Sequence, residues 1–576
     1  MTLKRRVRYI AIVVVALVCC SLAQVKEKVP AKPQPQEQRL EIPISPADSK
    51  PPGQRTETQR SSGLPKIDLP EFVITGIASI DLPGVEKEPP DENDVWLPRI
   101  PHDTAGAARD RNTIEVAVQE KRSALQVHSP VSNGKIEASL GTHFTPRVGF
   151  WLGQLQQDYW YRADLQYRST KGFALNTNRS GGRFAAEGGM PLQSTSSWLD
   201  RATVGGHLDY GSETYRFFGS SDPSLTRTVA QFSLGGSLTS SSGSPLDYTA
   251  ALAFKSLSVS DSSAKTTENR FDLALESRFS IASAALVGRV QIATASLSGS
   301  SSGSLPFVEV SVSSQRIWWH DFFADLSAHF YHAKSNLDQR LSKVYPHIGL
   351  GYVLLGNSTL SLTYRGEVEF GTLSSFLKSC QYLSVSSLLR NADVRADIAG
   401  ALETDWNEVW RTRFSARYRS VRDYALLSEL VPPGIWSMVY SGSTTLTTYA
   451  VDVFAKFNSN DYFGVTAALN STECSVTEDK IPYVPDLEIT GVLAQSIVPG
   501  WSVSPWMRFV DRRRVDVFGG KSIPAYLLLG LRTEYGVLQR INIFVDVQNL
   551  TDRRFEVWRG YRADPFMISA GASYRW

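Results

Sequence analysis

The sequence predicts an all-β protein: a 22-stranded antiparallel transmembrane β-barrel over residues 133–576, preceded by a signal peptide and a Pro-rich, largely disordered N-terminal segment. Three observations lead there. A basic and then apolar stretch opens the chain, clean two-residue alternation runs from about residue 133, and the last segment is amphipathic and ends on an aromatic residue.

Residues 1–23 read as the signal peptide. Lys4, Arg5, Arg6 and Arg8 precede the apolar run Tyr9 to Val18, and small residues around Ser21 and Ala23 suit cleavage before Gln24. The run is short for an uncleaved transmembrane helix, which needs about 20 apolar residues. A lipoprotein site at Cys19 or Cys20 would want a small residue just before the cysteine, where Val18 and Cys19 stand. After cleavage only Cys380 and Cys474 remain, which is neither a disulfide framework nor a zinc spacing, and whether they pair is left open.

Residues 24–132 form the next segment, expected in the periplasm. Residues 24–103 hold 14 of the 29 prolines, so this stretch buries too little apolar area to fold alone. Its one apolar island is Leu69-Pro70-Glu71-Phe72-Val73-Ile74-Thr75-Gly76, β-prone and exposed, and Ile67-Asp68-Leu69-Pro70 recurs as Ile80-Asp81-Leu82-Pro83.

From residue 133 the alternation sets in. Tyr161, Ala163, Leu165 and Tyr167 share one face and Arg162, Asp164, Gln166 and Arg168 the other, because successive strand side chains point to opposite sides. Phe271, Leu273 and Leu275 oppose Arg270, Asp272 and Glu276. Phe414, Ala416 and Tyr418 oppose Arg413, Ser415, Arg417 and Arg419, and Ile541, Ile543, Val545 and Val547 oppose Arg540, Asn542, Asp546 and Gln548. One face suits lipid and the other water. Strand starts are expected near 134, 147, 158, 202, 213, 228, 246, 267, 283, 306, 320, 345, 358, 392, 408, 446, 461, 486, 500, 523, 539 and 565. Long links are expected at 169–201, 371–391, 422–445 and 551–564, with tight links on the opposite, periplasmic side. In the last segment Phe566, Ile568, Ala570, Ala572, Tyr574 and Trp576 share a face, and this resembles the C-terminal signal by which barrels are handed to the outer-membrane assembly machinery.

The C-terminal third resembles the TonB-dependent receptor family. The resemblance is carried by Pro346 to Tyr352 leading to Leu360 to Arg365, by Val484-Pro485-Asp486-Leu487, by Ile523-Pro524-Ala525-Tyr526, and above all by Val545-Asp546-Val547-Gln548-Asn549-Leu550-Thr551-Asp552-Arg553-Arg554-Phe555. The last is similar to the family's N-L-x-D-x-x-Y, with Phe555 in place of tyrosine. The resemblance implies a 22-stranded receptor barrel in the Gram-negative outer membrane. It also makes Glu71, Phe72, Val73, Ile74, Thr75 and Gly76 a TonB-box-like stretch that would add a strand to an energy-coupling partner. Unlike the family, the chain has no room for a full globular plug before the barrel. The lumen then needs another filler: residues 77–132, inward-folded loops such as 169–201, or a separate protein.

Two readings of function follow. One is ligand binding or uptake across the outer membrane. The other is a structural or assembly barrel that docks a partner supplying plug or cargo. A net charge of +3 gives no support for nucleic-acid binding. Gly299-Ser300-Ser301-Ser302-Gly303 fits a nucleophile elbow only formally, since it falls in a hairpin loop, and no P-loop or HExxH occurs. Neither an enzyme nor a catalytic, cofactor or metal site is expected. Arg413, Arg417, Arg419, Arg508 and Arg540 on the lumen face, and Arg512-Arg513-Arg514 beyond it, could attract anionic substrates or lipopolysaccharide phosphates. The plainer reading is a solvated inner wall balanced by Asp164, Asp272, Asp452 and Asp546. Trp410, Trp506 and Trp558 read as interface anchors or wall packing.

Overall fold

The computed structural model describes residues 134–576 apart from 156–158, 195, 197, 241–245, 263, 282–283, 315, 337–338, 355–356, 431–432, 459–460, 477–479 and 518–519. The signal peptide, the Pro-rich segment and the TonB-box-like Glu71 to Gly76 lie outside the described residues.

Twenty-two strands make up the wall. The first eight are β1 (Gly134–Gly141), β2 (Thr145–Leu155), β3 (Trp160–Thr170), β4 (Arg179–Pro191), β5 (Thr203–Arg216), β6 (Thr226–Thr239), β7 (Asp247–Asp261) and β8 (Lys265–Ile281). Then come β9 (Ala284–Gly299), β10 (Gly303–Ser314), β11 (Phe322–Lys334), β12 (Arg340–Leu354), β13 (Ser358–Glu369), β14 (Ala392–Asp405) and β15 (Trp410–Arg422). The last are β16 (Thr444–Lys456), β17 (Tyr462–Cys474), β18 (Leu487–Val498), β19 (Trp501–Val510), β20 (Tyr526–Leu538), β21 (Ile541–Gln548) and β22 (Met567–Arg575). Each pairs antiparallel with its chain neighbours, and β1 pairs with β22 from Lys135 opposite Arg575 to Gly141 opposite Ser569, so the sheet closes without an edge. At this seam the Trp576 ring lies directly against Gly134, where a Cβ would fall 2.2 Å from it, and the two residues exchange backbone hydrogen bonds.

The faces sort as the alternation demands. Leu165, Phe271, Phe414, Ile543 and Ile568 stand exposed on the outer face, a band of apolar side chains that water would penalise and acyl chains accept. The expected C-terminal row behaves likewise, with Ile568 and Tyr574 exposed and Tyr574 stacked on Trp576. Tyr159, Trp160, Trp319, Trp406 and Trp501 ring one rim as an aromatic girdle.

The two rims differ. On the girdle side the connections run to between two and seven residues, apart from 192–202, and both ends of the barrel chain lie there. On the other side the connections after β13, β15, β17, β19 and β21 are 370–391, 423–443, 475–486, 511–525 and 549–566.

One stretch departs from the sequence reading. The expected long link 169–201 contains β4, and the starts expected near 202 and 213 belong to one continuous strand, β5; the two errors cancel in the count. Residues Arg179–Pro191 carry four glycines and few apolar branched side chains, so the alternation that marks a strand is nearly silent there. They pair along their full length with β3 and β5, so this segment is wall and does not fold inward. Arg540 sits exposed in the two-residue turn between β20 and β21 rather than on the lumen face.

A loop cap and the chamber beneath it

Near the long-loop rim the wall changes character. In β9 the lumen-facing Ala293, Ala295 and Leu297 are buried while the outward Thr294, Ser296 and Ser298 are exposed. Leu257 and Val259 of β7, Leu305 and Phe307 of β10, and Tyr331 and Ala333 of β11 are buried in the same way. Polarity has inverted: the strands have left the lipid band, and their inner face meets something apolar.

That something is the protein's own loops. The link 370–391 starts with Phe370 stacked on Phe307 at 5.1 Å and continues as the short helix α1 (Leu373–Ser379), capped by Thr372, whose hydroxyl accepts from Ser375 N. Glu268 of β8 accepts from Leu373 N at 2.6 Å, placing a carboxylate at the positive end of the helix. Arg227 of β6, fully buried, makes a bidentate pair with Asp261 at 2.6 and 2.7 Å and donates to the carbonyls of Gln381 and Leu383. Tyr215 donates to the Gln381 carbonyl and Thr266 to that of Val385. A buried ion pair gains when every donor has a partner, and here the partners belong to the loop. The wall therefore holds the loop by polar bonds as well as apolar contact.

Three further loops lock onto the first. Trp436, fully buried in the hairpin formed by Tyr424–Glu429 and Trp436–Ser441, donates from Nε1 to the Tyr483 hydroxyl in 475–486. Tyr382 stacks on Tyr561 at 3.8 Å and Trp436 packs on Trp558 at 5.4 Å. Tyr561 donates to the Gly434 carbonyl, and Arg559 pairs with Glu429. Gly434 has φ +91°, and a Cβ there would fall 2.4 Å from Ser220 Cα, so glycine is required where 423–443 crosses 217–225. The Tyr382, Tyr483 and Tyr561 phenols are pushed up by burial, as expected of hydroxyls used for packing. Cys380 sits in this core with its thiol pushed up to about 12 by burial, and Cys474 lies elsewhere, donating to Ser441, so the two do not pair with each other.

The Asn549-Leu550-Thr551-Asp552 motif has a structural role. Asn549, at φ +49° and buried, donates to the carbonyls of Arg553 and Asp564 and accepts from Arg553 N, while Asp552 accepts from Phe566 N. These bonds cinch both ends of 549–566. Phe555, where the family has tyrosine, stacks on Tyr526 at 4.1 Å. Trp558 is part of the cap, Trp410 packs on Phe457 near the girdle rim, and Trp506 lies across Gly530 on the lumen wall. The Gly299 to Gly303 stretch is the tight turn from β9 to β10.

Below the cap lies a chamber of about 1250 Å³, walled by β1–β7 and β19–β22 and roofed by Leu377, Lys378, Tyr483, Phe555 and Trp558. Most of its charges are paired: Arg168 and Arg179 share Glu213, Arg183 meets Asp209, and Arg508 meets Glu488. On the opposite wall Asp397 gathers Arg365, Arg417 and Arg419. Arg417, Arg419 and Arg508 are thus paired, though with Asp397, Glu369 and Glu488 rather than with the acids named from the sequence, and Arg419 is buried rather than solvated.

No protein-family model and no curated protein matches the sequence. Solved structures do match in fold. The FrpB iron transporter from Neisseria meningitidis (F3-3 variant) aligns at TM-score 0.60 and 9% identity over 79% of this chain and 83% of that one. The copper transporter OprC aligns at 0.60 and 12% over 77% and 82%. The siderophore receptor PiuA from Acinetobacter baumannii aligns at 0.59 and 10% over 78% and 82%. The likeness is one of fold: this chain closes the same 22-stranded barrel as the TonB-dependent receptors.

Proposed function

We propose that the protein is an outer-membrane receptor-like barrel that binds a ligand and passes it across the outer membrane of a Gram-negative-type cell. The observation that carries this reading is the capped chamber: a wide barrel whose own loops pack together across its long-loop rim, with a chamber beneath them. A diffusion porin would keep that path open. The long-loop rim faces outward and residues 24–132 lie in the periplasm, because tight turns and chain ends share the other rim. Energy reaches the barrel through Glu71 to Gly76, which adds a strand to a TonB-type partner. The row Ile568, Ala570, Ala572, Tyr574 and Trp576 is read by the assembly machinery, and lipid and lipopolysaccharide surround the band above it.

Deleting residues 69–76 is the test. Uptake of a transported ligand should fall to background while the barrel still assembles, and undiminished uptake would refute energised transport. The second reading, a barrel that docks a plug or cargo protein, is favoured by the unfilled chamber among the described residues and by the short stretch before the barrel. A stoichiometric partner copurifying from outer membranes would support it.

A further inference from the structure

We infer that the chamber beneath the cap is a binding site for a small soluble polyanion, a molecule carrying several carboxylate or phosphate groups; this deepens the receptor reading and rests on it. Ten cationic side chains and five carboxylates line the chamber. Charge number alone would fit a solvated wall, and neighbouring acids outside the lining compensate much of the excess. Three lining cations are different. Arg147 on β2, Arg513 in 511–525 and Lys378 on α1 have no carboxylate within 4 Å among the described residues.

Lys378 is exposed, Arg147 is half-buried, and for Arg513 the setting makes the missing counter-charge costly. Arg513 is 6% exposed and its Nε is buried with no hydrogen-bond acceptor; one terminal nitrogen reaches the Glu556 carbonyl and the plane lies over Tyr526. Burial, with the charge of Arg508 nearby, pushes its pKa down from the usual value, the sign of a cation short of compensation. An uncompensated buried charge is unfavourable unless something pairs with it. Arg147 stands directly across from Arg168 in the β2–β3 register, and both side chains line the chamber. Like charges in that relation repel. Arg168 is itself paired with Glu213, which it shares with Arg179. Asp546, whose field reaches Arg147, is shared with Arg532.

Wall, roof and side loop thus each contribute to one chamber a cation with no carboxylate within 4 Å among the described residues. Guanidinium forks bind planar oxyanions bidentately, so the occupant is an anion with dispersed oxygens. The volume is at or above the upper end of common ligand pockets, which run to about 1000 Å³, and admits more than one such group. The side chains face the lumen, which points to a soluble ligand rather than to lipopolysaccharide in the surrounding membrane.

The full-length protein in detergent micelles, titrated with inorganic tripolyphosphate by calorimetry at low salt, tests this. Saturable binding is expected, weakened about tenfold or more by Arg513→Gln and by Arg147→Gln, since each removes a charge-assisted bond, and abolished by high salt. Arg422→Gln, outside the chamber, should leave it unchanged. Heat-modifiable migration on gels verifies that each variant is folded, and partly exposed Arg147 gives a second variant should Arg513→Gln not assemble. Absence of saturable binding to the wild type, or equal affinity in folded variants, would overturn the inference. Absent binding beside uptake that depends on residues 69–76 sinks the polyanion and leaves the receptor standing. Arginine-dependent binding beside uptake indifferent to that deletion does the reverse.

Discussion

At the scale of single residues, the cap hangs on a few buried polar groups. Arg227 is the clearest, because it satisfies Asp261 and two loop carbonyls at once. Arg227→Ala leaves Asp261 and the Leu383 carbonyl without their donor and the Gln381 carbonyl with Tyr215 alone, a loss of about 3–5 kcal/mol for breaking a buried pair. The expected readout is local: faster hydrogen exchange and protease cleavage within 370–391, with the wall strands protected as before. Asn549→Ala removes bonds at both ends of 549–566 and should destabilise that loop by about 1–3 kcal/mol, seen as a lower melting temperature of the Trp558 environment by fluorescence. Cys380 gives a check that needs no mutation. With its thiol buried and its pKa raised to about 12, it should resist maleimide at mildly alkaline pH in the folded protein and react once denatured. Labelling of the native protein at Cys380 would show that the cap opens readily.

At the scale of elements, strands were legible and loops were not. A strand such as β15 declares itself because Phe414 and Tyr418 face lipid while Arg413, Arg417 and Arg419 face the lumen, and a period of two follows from backbone geometry alone. β4 stayed hidden because Gly181, Gly182, Gly188 and Gly189 erase the contrast between its faces. The cap left no periodic trace, since Phe370, Tyr382, Trp436 and Tyr561 sit in irregular segments or very short strands far apart in sequence. It did leave an indirect one. Where Ile292 gives way to Thr294, Ser296 and Ser298 outside, and Gln291 to Ala293, Ala295 and Leu297 inside, the wall inverts its polarity, and that marks apolar material filling the lumen mouth. The N-L-x-D motif was found for its resemblance, while its physical work, a side-chain clasp on a loop, needed coordinates. Likewise the lumen arginines were visible from the sequence, but which of them lack a partner depends on register and loop placement. Trp436→Ala, removing a large side chain from the meeting point of four loops, should cost about 3–5 kcal/mol of cap stability, and its effect should spread to Tyr483 and Trp558. Exchange confined to 423–443 would contradict the view of the cap as one cooperative unit.

At the scale of the whole molecule, wall and cap divide the labour. The wall is closed by β1 against β22, so its backbone groups are paired all the way round, as hydrocarbon surroundings demand. The cap, held by buried aromatics and side-chain bonds, is the part that can open, since its opening costs contacts and leaves the sheet intact. The central claim is that these loops close the barrel. Single-channel recording in planar bilayers, comparing the wild type with a variant in which residues 371–390 are replaced by a short Gly-Ser linker, addresses it most directly. The wild type should pass no large steady current and the variant should open to a wide, lasting conductance. Large steady openings in the wild type, or a variant as silent as the wild type, would contradict the account.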